Sequence, residues 1–513
     1  MASNEPAKSS TAVADSIATT LEWLITAFIL AFIFRAFVME AFRIPTGSMA
    51  DTLKGAHFRL RCTQCGFGYD YNFQQIYYSR NWPQEYVPPG DIPLLPSGPR
   101  CSSCGYFLGS DIKMPVANGD RILVLKTIYQ FVQPDRWDVI VFKNPVEPRI
   151  NYIKRLIGRP GETLEIIDGD IYINGKICRK PPKVQDELWL PVYNNDYPPV
   201  QPNEAHFNGH SWRQPFKNIN DSTWLLTQAN HPTVFTLDSP PDKINTIAYD
   251  TSVGNNFQAT CAYNETAQYE FMPTVSDLKV RFYVESRQAS GVIGAVLGKY
   301  ETSYHARADV SGQMVIFKSK AGEKPADLAK KQGAPLAVGK NILVEFSNVD
   351  HQLIFTVGSE TLTVDLGRDP NDAGDRKTQI APQLSIFGSG TLTLSHIAVF
   401  RDLYYLDRDL SRRMNHACRA AQGTPITLGK DEFFVCGDNS PSSYDSRWWA
   451  SEGVGNVGKR YRMGIVPRDY LVGKALFVYW PSGFRLFSGD KWGLCPNIGS
   501  IRFIYGGNEA FSQ

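Results

Sequence analysis

Ser48 stands in "FRIPTGSMADTL", residues 42–53, between Gly47 and Met49 and just after a long apolar run. A serine hydroxyl at its free pKa is a weak nucleophile and needs a neighbouring base. Histidine is the usual partner, but His57 is the one histidine before residue 200, and nothing in the sequence shows an aspartate placed to orient it. A lysine serves instead if it is neutral: burial brings its pKa from ~10.4 towards ~7–8, where it accepts a proton. Lys154 in "NYIKRLIGRPGE" and Lys126 in "RILVLKTIY" both have apolar neighbours. The first segment reads as a strand ending in a Gly-Arg-Pro-Gly turn, with Lys154 on the face of Tyr152 and Leu156, and Arg155 on the other. Most lysines in such settings are surface charges, and pattern alone does not choose among these candidates.

A second set of chemically capable residues is "RCTQCGFGYDY … PRCSSCGYFLGS", where Cys62, Cys65, Cys101 and Cys104 form two CxxCG knuckles. Two such pairs supply the four thiolates of a closed tetrahedral zinc site, and each following glycine lets backbone N–H groups turn towards sulfur. Two disulfides are the alternative in an oxidising compartment. A disulfide inside a CxxC pair is strained and reducible, which favours a structural zinc. Cys178, Cys261, Cys418, Cys436 and Cys495 are scattered and receive no role.

These residues need elements to hold them. The 513 residues exceed one ordinary core and imply several domains, and 43% hydrophobic against 20% charged residues describe a folding chain. A net charge of +2 with no basic block gives nucleic acid little support as a partner. Abundant Gly, Pro, Tyr and Phe with few long helical patterns point to a mainly β fold. "IATTLEWLITAFILAFIF", from Ile17 to Phe34 and continuing to Val38, is the one run long enough to cross a bilayer as a helix. Glu22 and the threonines weaken it, and "FRAFVMEAF" offers no good cleavage site for a secretory leader. Flanking Lys8, Arg35 and Arg43 do not orient it.

Four segments occur in a fixed order: "FRIPTGSMADTL", "GDRILVLKTIYQFVQPDRWDVIVFKNP", "NYIKRLIGRPGE" and "GDNSPSSYDSR", followed by "GIVPRDYLVGKALFVYWP". Together they resemble the sequence boxes of bacterial type I signal peptidases, membrane-bound Ser/Lys peptidases. The resemblance implies Ser48 as nucleophile, Lys154 as general base and a structural role for Lys126. It implies an oxyanion hole from the Ser48 N–H and the hydroxyl of Thr46, which stands where the family usually has serine. Ser443 would hydrogen-bond the Lys154 amine, Asp445 and Arg447 would pair, and Gly437, Asp438 and Asn439 would shape the turn beneath the site. Asp51 departs from a common proline and Ser440 from a common arginine.

The resemblance further implies that catalysis needs no metal or cofactor, and that substrates are signal peptides of exported precursors with Ala-x-Ala cleavage sites. These would bind as an extended strand against a β edge, with "FRIP" dipping into the bilayer surface. It places a single-pass protein in the cell (inner) membrane, with the catalytic domain on the outer (trans) side.

The peptidase pattern is interrupted between "DGDIYINGK" and "ITLGKDEFFVCGDN". Short alternating runs such as "LKVRFYVES", "GQMVIFKS", "NILVEFSNV", "QLIFTVGS", "TLTVDLG" and "TLTLSHIAVF" read there as an antiparallel β-sandwich. The sequence around residues 341–367 resembles concanavalin-like, laminin-G-like jelly rolls. Such sandwiches bind glycans or proteins, or serve as spacers or lids, and fold alone does not decide. His206, His210, His231, His305, His351 and His396 lack ligand spacing, apart from "HFNGH".

The expected organisation is a tail over 1–16, a transmembrane helix over 17–38, catalytic core over 39–60, a four-cysteine ribbon over 61–111, core over 112–185, the sandwich over 186–404, and core again over 405–513. An active membrane-anchored peptidase is the leading reading. The alternative is a membrane-tethered binding protein whose sandwich works on an inactive peptidase scaffold. The joint presence of Ser48, Lys154, Ser443 and Asp445 argues against the second.

Overall fold

The computed structural model describes residues 9–82, 86–96, 98–203, 206–227, 232–265, 272–367, 381–408, 417–455, 458–483 and 497–507. His231 and Cys495 lie outside them. Helix α1, Ser9–Ile33, ends in one wider turn over Phe34–Val38 and passes directly into strand β1, Met39–Arg43. Its segment Ser16–Ile33, with mean hydropathy 1.8 and no burial within the protein, is long and apolar enough to cross a membrane. The Thr20 hydroxyl donates to the Ser16 carbonyl (2.7 Å), so this polar atom is satisfied inside the helix.

Seven further strands join β1: β2 Arg121–Lys126, β3 Val139–Lys143, β4 Asn151–Gly158, β5 Glu432–Cys436, β6 Val466–Pro467, β7 Leu471–Trp480 and β8 Arg502–Phe503. They form one antiparallel sheet in the order β1-β2-β7-β3-β4-β5-β6, with β8 also on β7. Strand β3 is a continuous apolar run because this part of the sheet is covered on both faces. Val139 and Val141 join Ile122, Val124 and Val478 in one cluster, and Ile140 and Phe142 join Leu156, Val435 and Trp449 in another.

A small sheet takes strands His57–Arg61, Gly68–Asn72, Asp91–Pro93 and Lys113–Ala117. The ribbon therefore extends beyond 61–111 at both ends, through His57–Arg61 and Lys113–Ala117, because Phe58, Leu60 and Val116 pack in its core rather than in the catalytic sheet.

The large insertion is two facing seven-stranded antiparallel sheets. Leu278–Ser286, Asn341–Val349, Gln352–Val357, Glu360–Asp365 and Thr391–Arg401 lie in one, and Gln313–Lys320 in the other. Alternate residues of Leu278–Ser286 turn inward, so Leu278, Val280, Phe282 and Val284 meet Ile293, Phe346, Ile386 and Leu394 in a shared core. The insertion joins the rest through buried charges. Lys180 of the core pairs with Asp350 (2.5 Å) and Asp402 (2.9 Å) of the insertion, while Lys299 and Asp277 (2.6 Å) pair within the insertion. Elsewhere in the insertion, His305 stacks on Phe317 and His396 pairs with Asp196 at the surface, while His206 and His210 sit on a turn beside the ribbon.

Candidate active site

Strand β1 leads into a tight turn that presents Ser48, closed by Ala50 N–H donating to the Gly47 carbonyl (3.1 Å) and Leu53 N–H to the Met49 carbonyl (2.8 Å). Strand β4 supplies Lys154, whose Nζ lies 2.7 Å from Ser48 Oγ and 3.0 Å from the Ile153 carbonyl. Its neighbour on the same face, Tyr152, holds its ring 5.5 Å from the amine, as strand alternation requires. Lys154 is 5% exposed. Burial pushes its pKa from the ordinary 10.5 down to about 8, partly opposed by the carboxylates of Asp445 and Asp438.

The loop after β5 builds the floor. Asp445 accepts from Arg447 Nε (2.9 Å) and Nη2 (2.7 Å), from Gly437 N–H (2.9 Å) and from the Ser443 hydroxyl (2.7 Å). Burial works against this carboxylate, but the Arg447 guanidinium overcomes it and holds the pKa below the ordinary range. Arg447 Nη1 also donates to Ser440 Oγ (2.7 Å), which accepts the Leu406 N–H (2.8 Å) as well. Ser440 thus gives the buried arginine an acceptor.

Ser443 departs from expectation. Its hydroxyl is committed to Asp445, and the hydrogen bonds of Lys154 run to Ser48 and Ile153. The link from Ser443 to the lysine therefore passes through the charge of Asp445. Thr46 is exposed two residues before Ser48. Within "FRIP", Ile44 is buried and unavailable to a bilayer surface, whereas Pro45 is exposed.

Two residues were not singled out by sequence reasoning. Arg155 is fully buried on the opposite face of β4 from Lys154 and clasps Asp438 with two bonds (2.8 and 2.7 Å). Thr52 Oγ1 donates to the same carboxylate (2.7 Å), tying the serine turn to the loop after β5. Strand alternation placed Arg155 opposite Lys154, but nothing in the sequence marks that face as covered.

The competing bases sit elsewhere. The buried His57 ring bonds the Gly55 carbonyl (2.7 Å) and faces Asp70 (3.7 Å), and burial lowers its pKa. Lys126 pairs with Glu40 across β1 and β2 (3.1 Å). A cavity of about 700 Å³ beside the serine turn is lined by Asp51, Lys54, Arg59, Asp70 and Tyr263 and includes neither Ser48 nor Lys154.

In the ribbon the four cysteine sulfurs all lie within 4.8 Å of one another, and none is in a disulfide. Cys62 is 3.7 Å from Cys104, and Cys65 is 3.6 Å from Cys101. A disulfide requires ~2.05 Å, whereas zinc–sulfur bonds of ~2.3 Å set tetrahedral edges of ~3.8 Å. Gly66 and Gly105 both take left-handed backbone (φ 76° and 78°), turning their N–H groups back onto the Cys62 and Cys101 carbonyls.

A serine hydrogen-bonded to a buried lysine whose pKa is lowered is an arrangement in which the lysine could accept the hydroxyl proton without a histidine. The family profile described as signal peptidase, peptidase S26, matches residues 106–212 and 401–480, which hold Lys154 and the 437–447 loop. Over these stretches the chain is similar to that family. It is 29% identical over 160 residues to signal peptidase I of Rickettsia canadensis (strain McKiel), covering 31% of this chain and 44% of that protein. It is 30% identical over 157 residues to signal peptidase I of Rickettsia conorii (strain ATCC VR-613 / Malish 7), covering 30% and 43%. With signal peptidase I T of Bacillus subtilis (strain 168) it shares 38% over 73 residues, 14% of this chain and 37% of that one. The chain thus spans less than half the length of these relatives.

Among solved structures, the sandwich region is similar to the carbohydrate binding module CBM66 from Bacillus subtilis, at TM-score 0.24 and 10% identity, covering 36% of this chain and 95% of that one. Sheep galectin-11 gives TM-score 0.19 and 12% identity over 25% and 92%. At such scores the likeness supports no ligand for this sandwich.

Proposed function

We propose that the protein is a membrane-anchored serine endopeptidase that removes N-terminal signal peptides from exported precursors, with Ser48 as nucleophile and Lys154 as general base. The observation that carries this reading is the 2.7 Å contact between a buried lysine and the serine hydroxyl. Neutral Lys154 takes the Ser48 proton as Oγ bonds to the scissile carbonyl carbon. The Ser48 N–H and Thr46 hydroxyl hold the developing oxyanion. The C–N bond breaks as protonated Lys154 returns its proton to the leaving amine. Water, deprotonated by the same lysine, then attacks the acyl-enzyme, releases the new carboxylate and restores Ser48.

The family match supports signal peptides as substrates, and the proposal extends this to small residues in an Ala-x-Ala pattern, bound as an extended strand. Helix α1 would hold the site on the outer face of the cell membrane, where the apolar segment of a signal peptide is also confined. The four ribbon cysteines would hold a structural zinc, because their spacing fits a tetrahedron of thiolates. The ion would brace the ribbon and take no part in the steps above.

The test is cleavage of an Ala-x-Ala precursor by the detergent-solubilised full chain beside Ser48→Ala and Lys154→Met. Loss of cutting in both folded variants is expected. Persistent activity in Lys154→Met would refute the dyad, and a wild type inert on several precursors would refute the activity.

A further inference from the structure

Segment 259–265 belongs to the sandwich insertion by sequence, yet it wedges against the serine turn. Asn264 is 2% exposed and forms a reciprocal amide pair with Asn439: its Nδ2 donates to Asn439 Oδ1 (2.8 Å), and Asn439 Nδ2 donates back to Asn264 Oδ1 (2.9 Å). The Ser442 hydroxyl donates to the same Asn264 oxygen (3.1 Å). The other N–H of Asn439 Nδ2 reaches the Gly47 carbonyl (2.9 Å), and its backbone N–H reaches the Ser48 carbonyl (3.1 Å). Asn264 therefore fixes the rotation of an amide that holds the peptide in front of the nucleophile.

The wedge is itself anchored. The Tyr263 carbonyl accepts the Asn72 N–H from the ribbon (3.0 Å), and Glu265 accepts Tyr77 Oη (2.6 Å) and Gln74 Nε2 (2.8 Å). The buried Tyr263 ring lies where a side chain at Gly47 would begin, so the turn is clamped from that side too.

A peptide unit is planar, and its C=O and N–H point in opposite directions. The Gly47 carbonyl and the Ser48 N–H share one such unit. Whatever holds the first aims the second, and the Ser48 N–H is the backbone donor of the oxyanion hole in the mechanism above. We infer that Asn264, a residue of the insertion, is a positioning residue that aims the Ser48 N–H through Asn439 and Gly47. This inference rests on Ser48 being the nucleophile. It makes the insertion a structural part of the catalytic centre.

The experiment compares wild type, Asn264→Ala, Asn264→Leu, Asn439→Ala and the Asn264→Ala/Asn439→Ala double variant, all full-length in detergent, on one Ala-x-Ala precursor. Leucine keeps the branched outline of asparagine without its hydrogen bonds. Misaiming one oxyanion donor is expected to lower kcat by about 10- to 100-fold. KM should stay within about twofold, and the acid limb of the pH profile should not move. If Asn264 acts through Asn439, the double variant loses no more than Asn439→Ala alone. An unchanged kcat in folded Asn264→Leu overturns the inference. So does a loss matched by fewer active molecules, counted from the initial burst of released mature protein (the leaving amine), which a merely structural role would give. Ser48→Ala separates the two levels: if it still cuts, the peptidase reading itself fails, whereas an inert Ser48→Ala beside a fully active Asn264→Leu sinks only this inference.

Discussion

A buried base should be expensive to keep charged, and Lys154→Met measures that expense. The shift from 10.5 to about 8 corresponds to about 3 kcal/mol disfavouring the ammonium in the folded protein. Because the folded pKa lies below the unfolded one, the unfolded chain binds more protons between pH 8 and 10.5. Stability therefore rises with pH across that window, by about 1.4 kcal/mol per unit, and below pH 8 the full penalty is present. Methionine carries no such penalty. Lys154→Met should be inactive yet more stable than wild type at pH 7, by up to about 3 kcal/mol less about 1 kcal/mol for the lost bond to Ser48. The advantage should fade by pH 10.5. The assay is urea unfolding of both proteins in the same detergent at pH 7, 8.5 and 10, followed by a probe in the catalytic sheet. Comparing the two cancels groups they share. The same shift leaves roughly a tenth of Lys154 neutral at pH 7, about 300-fold more than an ordinary lysine. The kcat/KM of wild type should accordingly rise tenfold per unit up to about pH 8 and then level. A stability gap constant from pH 7 to 10, with Lys154→Met the weaker protein, would mean an ordinary charged lysine and would refute the reasoning.

Arg155→Met strands the Asp438 carboxylate beside Thr52 and should destabilise the core by about 3–5 kcal/mol, read as a lower urea midpoint. Gly47→Ala drives a methyl into the Tyr263 ring and should cut turnover by about 100-fold, and Gly47→Ala/Tyr263→Ala should recover part of it. A strong chelator under reducing conditions should release one zinc per chain and loosen residues 57–117 in hydrogen exchange, with Cys62→Ser doing the same. Metal-free protein with an intact ribbon would sink that proposal.

Legibility in the sequence followed periodicity. The sandwich strands with clean alternation, such as Leu278–Ser286 and Asn341–Val349, were readable to the residue. Val292–Lys299 was not, because its glycines and alanine break the two-residue rhythm where the neighbouring strand approaches closely. The catalytic pair was readable only because the boxes occur together, since one buried lysine looks like any other in a string of letters. Arg155, Thr52 and Asn264 stayed hidden because their roles depend on partners 175 to 386 positions away, and no local pattern encodes which polar residue will be enclosed.

Strand β7 sits between β2 and β3 in the sheet, although it comes hundreds of residues after both. Ser48 likewise waits for Asn439, 392 positions beyond Gly47, to hold its turn. On the ribosome the nucleophile is made early and the residues that frame it come last. At ~5–20 residues per second, roughly 20–80 s separate the synthesis of Ser48 from that of Leu471. Through that interval the nascent chain carries Ser48 without the loop that holds its turn, so the pair proposed as catalytic is not framed until almost all of the chain has been made.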